Sequence, residues 1–207
     1  MQVSKRLILG CILAVLALPL AGAMNNASAQ NLIMNPGFET GDLTDWLVYG
    51  QTANSDVLVL ADDNGPAEPG THNAFMDNQA EALGLTLKQS TPAGSAGAGE
   101  VFYSFDLLLD QADVGGVLFV EIFAEQENGG VIGSSGLMGP LWPWEWTTYT
   151  GSFVAPEGTD FLTIQFMANT GAAVGSNCLA HVDNVSLAQE IVATDTANWG
   201  AIKALYR

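Results

Sequence analysis

Hydrophobic and polar residues alternate in short runs between residues 31 and 188, and clusters of Gly, Asn, Asp and Pro separate the runs. In FLTIQFMA, the apolar Leu162 and Ile164 face one way and the polar Gln165 faces the other. Runs of this kind predict nine strands, at residues 56–61, 74–76, 83–89, 101–109, 116–126, 131–134, 147–154, 160–168 and 180–188. No segment before residue 188 keeps a helical period for three turns. The pattern therefore predicts an all-β fold, an antiparallel β-sandwich of the jelly-roll kind.

The N-terminal residues depart from this pattern. An apolar run over residues 7–20 follows the cations Lys5 and Arg6, and small residues precede Gln30. This is the layout of a secretory signal peptide over residues 1–29, although a second set of small residues at 21–23 leaves the cleavage point open. The run is shorter than the roughly 20 residues of a membrane-spanning helix. We expect an exported protein, secreted or held at the cell surface, with no membrane insertion after cleavage.

The C-terminal residues form a third part. Trp199, Ile202 and Leu205 recur at near-helical spacing, which predicts a short helical or extended tail over residues 189–207. The tail either packs its apolar stripe on the sandwich or contacts a protein partner. The β-sandwich domain is expected between the two, over residues 30–188.

Composition narrows the range of partners. The chain has 207 residues, with 22 Asp and Glu against five Lys and Arg, and a formal net charge of −17. Without a basic patch, such a chain does not bind nucleic acid, whereas its acidic surface suits divalent cations. Cys178 is the only cysteine that remains after removal of the signal peptide, so it is expected to pack in the core.

Reactive groups are too scattered to predict an enzyme. His72 and His181 stand alone, and no zinc-ligand spacing, nucleophile elbow or phosphate-binding glycine loop occurs. A pair of carboxylates chosen from 22 acids would be arbitrary as a glycosidase site. Lys88 is the only Lys or Arg between the signal peptide and the tail, which argues against a lyase. We therefore expect a non-catalytic protein.

Three motifs occur in a consistent order along the chain: NPGFETGDLTDW from residue 35, WTTYTGSFVAPEGTDFLTIQFMAN from residue 146, and AHVDNVSLA from residue 180. Together they resemble the first strand and loop, the late hairpin and the closing strand of carbohydrate-binding modules of the family 4, 9 and 22 type. These modules belong to the galactose-binding-like jelly rolls. The resemblance implies a non-catalytic β-sandwich whose partner is a polysaccharide or glycan, although fold alone does not fix function.

The same resemblance implies a structural Ca²⁺ site. Adjacent first and last strands would bring Glu39 near Asp183, and two neighbouring carboxylates repel each other unless a cation lies between them. Ca²⁺ takes six to eight oxygen ligands, including loop oxygens. Position by position, the resemblance assigns Glu39 and Asp183 as ligands, with further oxygens from EPGTHNAF at Glu68, Thr71 or Asn73. The alternative is that Glu39 and Asp183 only cap backbone groups.

Sugar binding needs exposed aromatic faces. Trp142 and Trp144 lie in the proline-stiffened loop GPLWPWEW, where they either form a sugar platform or cover one end of the sandwich. Trp46 and Trp146 are expected to pack inside the fold.

Polar residues on the strands supply a second set of sugar contacts. Gln165 lies on the polar face of its strand, and Tyr103 is expected to join it across the cleft face that the resemblance implies. The alternative function is a structural or adhesive surface module that keeps the jelly roll and does not bind sugar.

Overall fold

The computed structural model describes residues 30–61 and 70–189, which form eleven strands and no helix. The strands are β1 (Leu47–Tyr49), β2 (Ser55–Ala61), β3 (His72–Asn78), β4 (Gly84–Ser90), β5 (Gly99–Asp113), β6 (Val117–Glu125), β7 (Val131–Ser134), β8 (Met138–Leu141), β9 (Thr147–Ala155), β10 (Phe161–Asn169) and β11 (Asn177–Gln189). None of the described residues forms a helix long and apolar enough to cross a membrane. The predicted signal peptide and the part of the predicted tail after Gln189 lie outside these ranges.

Two antiparallel sheets stack face to face. The β10 sheet has the order β1-β4-β10-β6-β7, with β8 also paired to β6, and the β11 sheet has the order β2-β3-β11-β5-β9. Inward side chains alternate with outward ones, so Ile164 and Phe166 of β10 meet Phe105 and Leu107 of β5 in a core without solvent access. The predicted all-β sandwich is confirmed.

All nine predicted strands are present, and most are longer than predicted. The 74–76 run lies within β3, and the 101–109 run lies within β5, because polar residues at both ends of each run also pair. β1 and β8 were not predicted, since three and four residues are too few to establish an alternation.

Trp46 and Cys178, which the sequence predicted to pack inside the fold, are both buried. Trp46 lies between Phe38 and Phe166, with ring centroids 5.1 and 6.3 Å away. Cys178 is buried in β11, and this burial raises the pKa of its thiol to about 12. The thiol therefore stays neutral, as an inert core residue does.

The first and last described segments lie side by side. Asn31 forms a bridge with Ala188, and the Leu32 N–H donates to the Leu187 carbonyl at 2.8 Å. Further along, the Val185 N–H donates to the carbonyl of Pro36 at 2.9 Å. This pairing carries the turns after Pro36 onto the outer face of the β11 sheet.

Candidate functional site

The motif NPGFETGD folds as successive turns rather than as a strand. Phe38 is fully buried although its φ is +57°, and it turns the chain so that Glu39 faces β3. The Gly41 N–H closes the turn on the Phe38 carbonyl at 2.9 Å, with Gly41 at φ +77°. Phe38 thus anchors the loop in the core, and the turn that ends at Gly41 directs Glu39 towards β3.

Glu39 binds the backbone at the start of β3. Its Oε1 accepts hydrogen bonds from the N–H groups of Thr71 at 2.7 Å and His72 at 2.9 Å. Its Oε2 lies 3.3 Å from Thr71 Oγ1 and 3.4 Å from His72 Nδ1. Burial acts to raise the pKa of Glu39, but these hydrogen bonds outweigh it and lower the pKa below its usual value. These contacts are those of a backbone cap.

Asp183 is almost fully buried in β11, with 3% of its surface exposed. Burial raises its pKa to about 7, the negative charges of Asp106 and Glu39 add to this effect, and the Asn184 N–H at 2.7 Å opposes it. A Cβ on Gly37 would lie 3.4 Å from Asp183 Oδ1 and 3.7 Å from the Glu39 Cγ, so the turn at Gly37 lies close to both acids.

Asp106 is the site residue that the sequence did not indicate. It lies opposite Asp183 in the β5–β11 register and exposes 7% of its surface. Its Oδ2 accepts a hydrogen bond from Asn184 Nδ2 at 2.8 Å, whereas its buried Oδ1 has no partner among the described residues. The only sequence signal for this residue was an acid within SFDLLLD at one of the alternate strand positions that face outward. Glu39, Asp106 and Asp183 are called the carboxylate cluster below.

The other predicted metal ligands have different positions. Thr71 contacts Glu39 directly, but the Asn73 Oδ1 lies 2.8 Å from the Nδ1 of the buried His181. His181 Nε2 in turn lies 2.9 Å from Asp110 Oδ2. Glu68 lies outside the described residues. Asn73 therefore directs its oxygen to a histidine rather than to the carboxylate cluster.

The donor set of the cluster suits a hard cation only in part. Within residues 30–61 and 70–189, no group of three or more His, Cys, Asp or Glu side chains is arranged to hold a metal ion. The free Oδ1 of Asp106 and the repulsion at Asp183 fit a cation, and all available ligands are oxygens, as Ca²⁺ requires. Ca²⁺ would need backbone and amide oxygens to complete its shell.

Trp142 and Trp144 form an exposed aromatic pair. Their ring centroids are 6.4 Å apart with an interplanar angle of 22°, and the residues are 45% and 59% exposed. The Leu109 N–H donates to the carbonyl of buried Pro143 at 2.6 Å, which fixes the loop where it crosses from β8 to β9. Trp146, by contrast, is half-buried and packs edge-on against His181 at 5.9 Å.

The structure does not bring Gln165 and Tyr103 to one face. Gln165 lies on the outer face of β10, between Lys88 of β4 and Glu121 of β6. Tyr103 shares the inward parity of Phe105, stacks on its ring at 5.9 Å and packs against the core. Tyr103 is therefore on the other sheet and points into the sandwich.

Comparison with known proteins identifies the fold. No family model and no curated protein matches this chain. The enzymatically active domain of bacteriophage CBA120 tailspike protein 4 is similar, with a TM-score of 0.60 and 14% identity. The match covers 76% of this chain but only 21% of the tailspike, so this chain spans about a fifth of that protein.

Two carbohydrate-binding modules match over their whole length. A family 61 module, solved with β-1,4-galactotriose, has a TM-score of 0.53 and 19% identity over 78% of this chain and 100% of its own. A family 16 module has a TM-score of 0.52 and 15% identity over 77% of this chain and 100% of its own. The chain therefore shares the β-sandwich fold of these two modules, which is the fold that the sequence motifs implied.

Proposed function

We propose that the protein is an exported, non-catalytic module that binds a neutral polysaccharide or glycan through Trp142 and Trp144. The observation that carries the proposal is the exposed, near-parallel ring pair on a loop that Pro143 anchors to β5. Pyranose C–H faces stack on aromatic rings, and both rings of this near-parallel pair are exposed for such a contact. In a purely structural loop, such rings would be expected to be buried, but here both are exposed to solvent.

Charge selects the kind of glycan. Lys88 is the only Lys or Arg in the described ranges, which also contain 17 Asp and Glu residues. A uronic acid or sulfated sugar would be repelled from such a surface. Gln165 beside Lys88 and Glu121 provides a separate polar row for sugar hydroxyls on the β10 sheet.

The buried position of His181 supports a binding role. His181 and Asp110 form a hydrogen-bonded pair, but His181 is 5% exposed and is packed between Phe75 and Trp146, at centroid distances of 4.7 and 5.9 Å. A general base must reach a substrate proton, and this ring does not reach solvent.

Ca²⁺ is proposed as a structural ion at the carboxylate cluster. When bound, it would supply positive charge between carboxylates that otherwise repel each other. Asp183 and Asp106 would hold it directly, whereas Glu39 would act mainly by tying the start of β3 to the loop. The ion would thereby stabilise the folded state.

Alanine substitution of Trp142 and of Trp144 tests the sugar platform. Each change should weaken binding to a soluble neutral polysaccharide by roughly 1–3 kcal/mol, as for exposed aromatic hot spots. The thermal midpoint should hardly move, because an exposed ring contributes little to the core. Leu137→Ala, which removes a side chain of similar exposure, is the matched control and should bind normally.

The same measurements decide between the two functions. Lost binding at intact stability supports the platform. A glycan array with no binder, together with a large fall in the melting temperature of the tryptophan variants, would support a structural or adhesive module instead. Export is tested separately, by N-terminal sequencing of the protein recovered outside the cytoplasm, which should begin at Gln30.

A further inference from the structure

The outer face of the β11 sheet carries an aromatic and hydroxyl surface that is separate from the tryptophan pair. Phe102 lies in β5, is 47% exposed, and pairs with Ser152 of β9 and Ala188 of β11. Because both neighbours are small, the flanks of the ring stay open. Within the described part of the chain, both cross-strand neighbours are too small to cover the ring, so this exposed phenyl ring offers a flat face to a ligand.

Two hydroxyl groups lie near this ring, and a third lies farther along the sheet. Ser104 is two residues from Phe102 on the same face and pairs with Ser186 of β11. Thr148 of β9 lies opposite Asp106, about 13 Å along the strand from Phe102. Ser104, Ser186 and Thr148 line a depression of about 270 Å³, with Asp106, Pro36 and Val185. None of the three hydroxyls has a hydrogen-bond partner in the part of the chain that the structure describes. They are free to bond a polar ligand. We call Phe102, Ser104 and Ser186 the Phe102 surface.

Size and charge define the ligand. A volume of about 270 Å³ lies just below the roughly 300–1,000 Å³ of most small-molecule pockets, so it suits one sugar unit rather than a chain. Residues two apart on a strand are about 6.6 Å apart, which lets one pyranose reach both Phe102 and Ser104. The Asp106 carboxylate at the edge, with Lys88 on the other sheet, disfavours anionic sugars.

We infer that the Phe102 surface is a second saccharide site, which takes one neutral pyranose unit at a chain end or side branch. The sugar stacks its C–H face on Phe102 and exchanges hydrogen bonds with Ser104 and Ser186. The inference rests on the proposed function for the class of ligand, but it uses no residue of the tryptophan pair. Phe102 is seven residues from Leu109, which holds the tryptophan loop, so about 23 Å of strand separates the two sites.

Two separated sites make the module bivalent. A single branched or long glycan that reaches both sites would bind with avidity, whereas separate chains would be cross-linked.

An NMR titration of the mature chain, residues 30–207, with D-galactose, D-glucose, D-xylose and D-mannose in turn tests the inference. We expect saturable amide shifts at Phe102, Ser104 and Ser186 with at least one of the four sugars. Shifts there without shifts at residues 142–146 would support the second site and refute the tryptophan platform. Shifts only at residues 142–146 would overturn the second site and leave the platform standing. No shift at either place would overturn both.

Substitutions then identify the contacts. Phe102→Ala should weaken the affinity measured at the Phe102 surface by at least about tenfold, which corresponds to ~1.4 kcal/mol, and Phe102→Tyr should restore it because the ring remains. Leu58→Ala is the matched control, since Leu58 is also 47% exposed on an outward position of the same sheet, at the opposite edge. Unchanged affinity in Phe102→Ala, with the fold intact by circular dichroism, would contradict the site.

Discussion

Replacing Asp183 with Asn measures how much the buried carboxylate strains the fold. The pKa of Asp183 is about 7 in the folded protein and 3.8 ordinarily, so the folded state binds the proton more tightly than the unfolded state does. Without a cation, the contribution of Asp183 to the free energy of unfolding is therefore highest below pH 4 and falls as the pH rises to about 7. At 1.36 kcal/mol per pKa unit, the loss is up to about 4 kcal/mol.

The assay is urea unfolding at pH 5 and pH 8, with EDTA or with Ca²⁺. In EDTA, the native sequence should be less stable at pH 8 than at pH 5. Ca²⁺ should restore stability at pH 8, where the carboxylate is charged, and should do little at pH 5. Asp183→Asn should remove both the pH dependence and the Ca²⁺ response, because the amide oxygen still accepts the 2.7 Å bond from the Asn184 N–H but carries no charge.

Glu157→Gln provides the matched control, since it removes a charge from an exposed turn and should change neither response. Equal stability of the native sequence at pH 5 and pH 8 in EDTA would refute the raised pKa. A full Ca²⁺ response in Asp183→Asn would place the ion elsewhere. Either result would remove the physical reason for a cation between these strands.

Two further predictions address the loop and the core. In Gly70→Ala, the added Cβ would meet the Glu39 carboxylate at a distance that no real contact allows, so Glu39 should leave the backbone N–H groups of Thr71 and His72; faster amide exchange at these two residues is the expected result, and unchanged protection would contradict it. Cys178, buried with a pKa of about 12, should react with a thiol reagent only after unfolding, so labelling at the rate of an exposed thiol in native conditions would show that β11 opens locally.

The fold was predictable because sheet burial imposes a period of two on nearly every strand. The pattern weakens where few residues repeat it, as in β1, or where Gly139 and Pro140 interrupt it, as in β8. Strand ends were also underestimated, because pairing continues at polar residues such as those that end β5.

The candidate site was predictable only in part. Parity along VFYSFDLLLD already places Tyr103 with the inward Phe105, so its position inside the sandwich could have been read from the sequence. Asp106 could not, because its partner Asp183 lies on a strand far along the chain, and register between distant strands leaves no local signal. The two hydrogen bonds that Glu39 accepts from backbone N–H groups could not be predicted either, because they depend on where the loop before β3 folds back.

The pairing of Asn31 with Ala188 makes the resistance of the domain to force depend on direction. A force that separates these two ends breaks the hydrogen bonds between them one after another. The bond between Leu32 and Leu187 breaks first, and the bond between Pro36 and Val185 breaks next. Peeling then reaches the turn that packs Gly37 against Asp183, where the bonds around Glu39 must break together. A cation bound there would resist further unfolding, so the carboxylate cluster would set the force at which a tethered module unfolds.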